Sequence, residues 1–148
     1  MFRSLTILAA TTLALPAFAD GHAASGDVAA GEAAFRQCSS CHVVQNEAGE
    51  TLAGKKAKTG PNLYGIAGGQ FGMMDGFRYS DINQLASSME DLMVTEEVFV
   101  AYVQDTTEYL REATGDKGRS KMSYKVRKEE DAINLYAYIA SLSPESAD

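Results

Sequence analysis

Apolar or small side chains recur at helical spacing in four segments of the chain, separated by polar or glycine-rich stretches. These segments begin near residues 27, 80, 95 and 129. The positions that carry the pattern are, in chain order, Val28, Gly31, Phe35 and Cys38; Ile82, Leu85, Ala86 and Met89; Val98, Ala101 and Tyr102; and Ala132, Leu135, Ile139 and Leu142. No segment alternates as a strand would, and no repeat is evident. The pattern therefore predicts an all-α fold with at least four helices, the first over 27–41 and the last over 129–142.

The ends of the predicted helices carry suitable residues. Ser80 is a good N-cap, and Thr95 is followed by Glu96 and Glu97, in the first turn where the helix dipole favours acids. Gly31 lies inside the first helix, where glycine costs about 1 kcal/mol relative to alanine. We therefore expect another helix to pack very close to Gly31.

Residues 43–76 lack a helical pattern and are rich in glycine. A long structureless segment in a small domain is usually functional or wraps around something. We expect this loop to enclose a bound group that supplies apolar surface.

The N-terminus is typical of a secretory signal. Arg3 is followed by the apolar run 5–15, and 17–19 reads Ala-Phe-Ala, a cleavage pattern. We predict a cleaved signal over 1–19, a flexible tail over 20–26 and one domain over 27–148. An uncleaved membrane anchor is the alternative, although the apolar run is short for a membrane span of about 20 residues. In a bacterium, export directed by this signal would place the protein in the periplasm.

Charge is unevenly distributed in the mature chain. Without 1–19 it has 12 basic and 20 acidic residues, a formal charge of −8, which is not typical of a nucleic-acid-binding protein. Residues 81–116 hold nine acids and one base, whereas 117–128 hold six bases and no acid; Lys55, Lys56 and Lys58 form a second basic cluster. The pattern predicts a molecule with acidic and basic sides.

The candidate chemistry lies in Cys38-Ser39-Ser40-Cys41-His42, a C-x-x-C-H motif. Two thiols three residues apart on a helical turn can form thioether bonds to both vinyl groups of one porphyrin, and the adjacent His can bind its iron. The motif is the signature of covalent haem c attachment. A thioredoxin-like pair would need a βαβ context, and a local disulfide would leave His42 unexplained. A zinc site would need four ligands, whereas the chain has only two Cys and two His, and His22 lies in the N-terminal tail.

The other axial position of the iron decides the function, because a Met sulfur there favours electron transfer whereas an open position permits ligand binding. Among the Met residues of the mature chain, Met89 lies on a predicted core stripe and Met93 has no ligand-like context. Met73 and Met74, in the glycine-rich loop, are candidate ligands. Met122 lies in a loop before the last helix, where no core pattern explains it.

With these motifs the chain resembles class I cytochrome c, in particular the longer bacterial respiratory and photosynthetic type, over about 26–142. Thr-Gly-Pro-Asn-Leu-Tyr-Gly at 59–65 is similar to the loop whose Pro carbonyl accepts the axial His N–H, a role that falls to Pro61. By the same resemblance Tyr79 would bond a haem propionate, and Met122 in Ser-Lys-Met at 120–122 would be the sixth ligand. The implied fold has four to five helices and long loops around one covalent haem.

The resemblance assigns further roles. It implies that Asn83, Tyr102 and Ser120 form a buried polar network beside the Met ligand. It also places Gly31 and Phe35 where the first helix meets the last.

The chain departs from the family pattern at three positions. It has no Trp, and Val94 stands where the family usually has one to bond a propionate; Gly69 stands where many members have Arg, and Thr106 where Pro is common. We expect a more solvated or differently bonded inner propionate, with Gln70 and Arg78 as candidate substitutes.

The resemblance implies a soluble, monomeric electron carrier of the periplasm, not an enzyme. Its partners would be redox proteins, such as a membrane cytochrome bc complex, an oxidase, a reaction centre or a dehydrogenase, met only transiently. Two alternatives stay open: a ligand-binding or peroxidase-like haem protein with a labile sixth ligand, and a dedicated electron acceptor of one periplasmic dehydrogenase.

Overall fold

The structure is a computed structural model that describes residues 24–55 and 58–143. It contains five helices and one hairpin in this range. In chain order they are α1 (Val28–Phe35), β1 (Val43–Gln45), β2 (Thr51–Gly54), α2 (Asp81–Ser87), α3 (Glu96–Gln104), α4 (Thr106–Thr114) and α5 (Glu129–Ser141). No helix in the described part of the chain is long and apolar enough to cross a membrane. The predicted signal sequence lies outside the described residues.

Helix α5 is the centre of the fold, with α1 and α3 packed against it. The α1 contact is close because Gly31 has no side chain: a Cβ built there would lie 2.0 Å from the Asn134 carbonyl oxygen. Beside it the rings of Phe35 and Tyr138 lie 5.5 Å apart between centroids. The predicted close helix contact at Gly31 is thus present in the structure.

Three capped helix starts fix where the chain turns. The side chains of Asp27, Thr95 and Asp105 accept hydrogen bonds from backbone N–H groups in the first turns of α1, α3 and α4. Ser80 precedes α2 as predicted, but its hydroxyl donates to Asn83 Oδ1 and does not cap the helix. Because Asp105 both ends α3 and caps the start of α4, the two helices follow each other with no loop between them.

Two elements were not predicted from the sequence. Helix α4 occupies the beginning of the segment predicted as a loop between the last helices. Strands β1 and β2 pair antiparallel directly after the C-x-x-C-H motif, with a bulge between Val44 and Gln45. The sequence pattern missed this hairpin, whose strands have only three and four residues, while the predicted helical class is confirmed by the five helices.

Several predicted helix faces are rotated. In α2 the buried residues are Ile82, Asn83 and Ala86, whereas Leu85 and Met89 are 44% and 37% exposed. Helix α2 has only seven residues and turns a polar side chain, Asn83, inward. The predicted apolar stripe was therefore wrong at Leu85 and Met89.

Helices α1 and α3 show similar differences. Val28 is 46% exposed, because α1 makes its close approach to α5 through Gly31. In α3 the buried residues are Phe99 and Val103, while Ala101 is exposed. The α5 stripe is as predicted for Ala132, Leu135 and Ile139.

The start of the described chain is attached to the helices. The Ser25 backbone N–H and hydroxyl both donate to the Glu96 carboxylate, at 2.7 and 2.6 Å. The Asp27 N–H donates to Asn134 Oδ1 at 2.8 Å. The segment predicted as a flexible tail is therefore attached to α3 at Ser25, and the next part of the chain is attached to α5 at Asp27.

The α1–α5 contact predicts an unusual response to a glycine substitution. Gly31→Ala should lower the free energy of unfolding of the holoprotein by about 1–3 kcal/mol through overpacking, despite the higher helix propensity of alanine. Chemical denaturation measures this change. The reverse substitution at an exposed position of the same helix, Ala33→Gly, is the control and should cost only about 1 kcal/mol. A Gly31→Ala protein as stable as wild type would contradict the packing described.

Candidate functional site

A cavity of about 530 Å³ lies between the residues after α1, the long loop, α3, the segment before α5 and α5 itself. Its volume is in the range of cavities that hold cofactor-sized ligands. Its walls are mostly apolar side chains. All nine site residues proposed from the sequence line it: Cys38, Cys41, His42, Pro61, Tyr79, Asn83, Tyr102, Ser120 and Met122.

The C-x-x-C-H motif forms a tight turn at the end of α1. The Cys41 and His42 N–H groups both donate to the Cys38 carbonyl, at 3.0 and 2.9 Å. This turn brings the two thiols and the imidazole to the same cavity wall. This arrangement could supply the two attachment points and one iron ligand that a covalent haem needs.

The electrostatics of the motif match this role. Burial and the neighbouring Cys41 raise the pKa of the Cys38 thiol to about 11, so the thiol stays protonated near neutral pH. A protonated, buried thiol is a poor thiolate nucleophile for disulfide exchange. Among the described residues, no group of three or more His, Cys, Asp or Glu could hold a metal ion by themselves.

His42 is held in one tautomer. Its Nδ1 lies 2.9 Å from the Pro61 carbonyl oxygen, which can only accept, so Nδ1 carries the proton and Nε2 keeps its lone pair. Burial lowers the pKa of His42, and the bond to Pro61 opposes this only in part. The imidazole is therefore neutral near pH 7 and ready to bind iron through Nε2.

The Pro61 carbonyl is fixed because its loop is bound to the start of the hairpin. The Leu63 N–H donates to the Val43 carbonyl at 2.8 Å. The Asn62 side chain accepts from the Gln45 N–H at 2.9 Å and donates to the Gln45 carbonyl at 2.7 Å. The hairpin, which was not predicted, therefore supports the Pro61 carbonyl that accepts from His42. Asn62 positions this loop, a role that was not predicted from the sequence.

Gly60 allows this loop to reach His42. A Cβ at position 60 would lie 2.4 Å from His42 Cε1 and 2.6 Å from Nδ1, far inside contact distance. The Gly60 N–H also donates to the Cys41 carbonyl at 2.8 Å. Only glycine leaves room for the imidazole at this backbone position.

Met122 lies on the cavity wall, half-buried, in the segment between α4 and α5. Its N–H donates to Ser120 Oγ at 3.1 Å. Its carbonyl accepts from the Thr106 hydroxyl at 2.6 Å. Thr106 is 2% exposed and was singled out in the sequence only as a departure from the family.

The predicted polar network converges on Tyr102. Side-chain hydrogen bonds from Asn83 and Ser120 act to lower the pKa of this phenol, but burial is the larger effect and the pKa is raised. Ser80 completes the network through its bond of 2.7 Å to Asn83 Oδ1. Tyr102 therefore stays protonated and neutral beside Met122 at all ordinary pH values.

Tyr79 joins the long loop to the Met122 segment. Its hydroxyl accepts from the Met74 N–H at 3.3 Å. Its carbonyl, and that of Arg78, accept from Lys121 Nζ at 3.1 and 2.7 Å. Lys121 thus connects the two sides of the cavity rim.

At Gly69 and Val94, where the resemblance commonly places Arg and Trp, the structure has a short backbone pairing. The Gly68 N–H donates to the Val94 carbonyl at 2.9 Å, and the Val94 N–H donates to the Gly69 carbonyl at 2.8 Å. A Cβ at position 69 would lie 2.8 Å from the Gly65 carbonyl oxygen, which explains the glycine there. Gln70 lines the cavity, but its amide already donates to the Met89 carbonyl.

Comparison with curated proteins finds close relatives over most of the chain. The cytochrome c2 of Rhodovulum adriaticum is 57% identical over 119 residues, which cover 80% of this chain and 94% of the relative. The cytochrome c2 of Cereibacter sphaeroides is 44% identical over 131 residues and 88% of each chain. No protein-family model matches the chain.

Solved structures give the same result. The structure is similar to that of cytochrome c2 from Rhodobacter sphaeroides, with a TM-score of 0.75 and 45% identity over 79% of this chain and 96% of the other. It is also similar to cytochrome c2 from Paracoccus denitrificans, with a TM-score of 0.76 and 35% identity over 82% of this chain and 100% of the other.

The contact of Gly60 with the imidazole predicts that Gly60→Ala will displace the Pro61 loop from His42. We expect about 1–3 kcal/mol less stability in the holoprotein, the usual cost of overpacking. Thermal unfolding followed by haem absorbance measures it. Thr59→Ala, at an exposed neighbouring position, should leave the midpoint within a degree or two. Equal midpoints for both variants would show that the loop does not depend on this contact.

Proposed function

The chain belongs to the class I cytochromes c of the bacterial c2 and c-550 type, and on that premise we propose that it is a soluble periplasmic electron carrier whose haem iron is held by His42 and Met122. The family consists of electron-transfer proteins, not enzymes, that carry one covalently attached haem c. These points and the cytochrome c fold agree with the predictions from the sequence.

Bound haem supplies a one-electron ferric–ferrous couple, and the chain supplies its attachment and surroundings. Cys38 and Cys41 would form the two thioether links. His42 would bind the iron through Nε2, because Nδ1 is already engaged with the Pro61 carbonyl. The mostly apolar walls of the cavity would shield the buried part of the haem from water.

The single observation that carries the proposal is that Met122 and the neutral His42 line one cavity together with both thiols. A neutral imidazole with a soft thioether opposite it favours electron transfer at raised potential. Met73 and Met74 also line the cavity, but Met73 is 63% exposed. Met74 is half-buried and hydrogen-bonded through its N–H and its carbonyl, as Met122 is, so the choice of Met122 over Met74 rests on the family resemblance of Ser-Lys-Met at 120–122.

The surroundings of Met122 favour a carrier over a ligand-binding protein. A labile sixth ligand would be expected in a loosely held loop. Here Ser120 and Thr106 restrain Met122 itself, and Lys121 fastens the same loop to Arg78 and Tyr79. A restrained ligand set changes little on oxidation or reduction, which is what rapid electron transfer requires.

The basic segment supports docking to acidic redox partners. Lys121 lines the cavity, and a neighbouring cleft is lined by Lys125, Arg127 and Lys128 together with Cys38. Basic side chains therefore outnumber acidic ones beside the wall to which haem would attach, with Asp131 as the acidic residue of this cleft. We propose that a membrane cytochrome bc complex, an oxidase, a reaction centre or a dehydrogenase is met through this side, with electrostatic steering.

Periplasmic location is proposed from the signal pattern over 1–19 and from the need of covalent haem attachment for an oxidising compartment. The mature chain would begin at Asp20. It would then carry four residues before the first described one, Ala24.

Replacing Met122 tests the ligand set. Met122→Ala should abolish the weak red absorption band of Met-ligated ferric haem and lower the midpoint potential by on the order of 100 mV, within the ~0.8 V over which axial ligands set haem potentials. Met73→Ala and Met74→Ala are matched controls and should keep both properties. Loss of the band in either control instead, or a wild-type protein that binds carbon monoxide readily, would contradict the proposal.

The local positive charge predicts a salt effect opposite to that of the net charge. Oxidation of the reduced protein by ferricyanide, an anion, should slow as ionic strength rises, although the mature chain has a formal charge of −8. Stopped-flow absorbance measures the rate, and a cationic cobalt complex as oxidant should show the opposite trend. A ferricyanide rate that increases with salt would mean that the net charge governs the approach, and would contradict the docking side proposed.

A further inference from the structure

The segment that carries Met122 is attached to the junction between α3 and α4 along most of its length. Four contacts form this attachment, and they follow one another in antiparallel order along the two stretches. They are the Ser120 N–H to Thr107 Oγ1 (3.2 Å), Thr106 Oγ1 to the Met122 carbonyl (2.6 Å), the ion pair of Lys125 with Asp105, and the Val126 N–H to the Val103 carbonyl (2.9 Å). The segment that carries Met122 is therefore positioned by the junction between α3 and α4.

The Thr106 contact differs from the other three. It acts on the backbone of Met122 itself, and Thr106 is 2% exposed, so water has little access to its hydroxyl. The ion pair of Lys125 and Asp105 is largely solvent-exposed, and exposed pairs contribute little. Loss of the Thr106 hydroxyl would leave the Met122 carbonyl without its partner, and an unsatisfied group of this kind is costly.

The capping of α4 keeps Thr106 in place. Asp105 accepts from the Glu108 N–H and starts the helix directly after α3, so Thr106 is the first helical residue. The family resemblance places a proline at this position, and proline has no hydroxyl to donate. The bond is thus a feature of this chain and is not part of the motif that the resemblance carries.

We propose that Thr106 is a positioning residue that restrains Met122 and sets how readily an external ligand displaces it from the iron. This inference rests on the proposed function of Met122 as the sixth ligand. Thr106 acts through the backbone of Met122 and does not line the cavity. Its hydroxyl keeps the loop in the conformation in which Met122 is on the cavity wall.

Lys121 makes a second attachment of the segment that carries Met122, and this attachment can be compared with the Thr106 contact. Lys121 Nζ donates to the carbonyls of Arg78 and Tyr79, but Lys121 is exposed and water competes for these bonds. We expect its loss to matter less than loss of the buried hydroxyl. The comparison separates a buried restraint from one at the surface.

The test is the affinity of imidazole for the ferric holoprotein, measured by absorbance titration together with the weak red band. Thr106→Val keeps the volume and removes the hydroxyl, and should raise imidazole affinity about 5- to 30-fold, the factor that corresponds to loss of one buried hydrogen bond. Thr106→Ser keeps the hydroxyl and should stay within about twofold of wild type. Lys121→Gln should change the affinity less than Thr106→Val does.

Global unfolding of each variant is measured in parallel. If Thr106→Val lowers stability but leaves imidazole affinity unchanged, Thr106 is merely structural and the proposal is overturned; a larger effect of Lys121→Gln overturns it as well. If Thr106→Val yields no holoprotein, Thr106→Ala against Thr106→Ser gives the same comparison. A wild-type protein without the red band would instead refute Met122 as the ligand, so the two failures are distinguishable.

Discussion

The hydrogen bond between His42 Nδ1 and the Pro61 carbonyl is the constraint on which the site depends. It fixes the tautomer, keeps Nε2 available for iron, and requires the Pro61 loop to lie against the C-x-x-C-H turn. The hairpin, the Asn62 amide and the missing side chain of Gly60 all serve to place that one carbonyl. Much of the non-helical structure is thus explained by a single acceptor.

The opposite wall of the cavity, which contains Met122, is held in place by different contacts. Met122 lies in an irregular segment that is held by the start of α4, by the neighbouring Ser120, and by the bond of Lys121 to Arg78 across the rim. Because α4 follows α3 directly at Asp105, this wall is joined to the helices that pack around α5. A rigid His side and a fastened Met side together suit a cofactor that changes charge without changing ligands.

Sequence reasoning found what depends on local pattern. The C-x-x-C-H spacing, the α5 stripe and the close approach at Gly31 are all properties of neighbouring residues, and the structure contains each. Sequence reasoning missed α4 because Leu110 is the one large buried side chain of that helix, and the helix begins and ends with threonines. The signals available were the Asp105 cap and Gly115, which takes a left-handed conformation after the helix.

Other features depend on contacts distant in sequence, which no local pattern encodes. The hairpin has strands too short for visible alternation, and its register follows from the Pro61 loop that it supports. Asn83 replaces Leu85 on the inner face of α2 because Tyr102 and Ser80 satisfy it.

The central claim is that Met122 binds the iron opposite His42. It is tested most directly by nuclear magnetic resonance of the reduced holoprotein with labelled methionine methyl groups. The account predicts one methyl resonance shifted far upfield by the haem ring current and assigned to Met122. An upfield resonance that belongs to Met73 or Met74, or the absence of any such resonance, would contradict it.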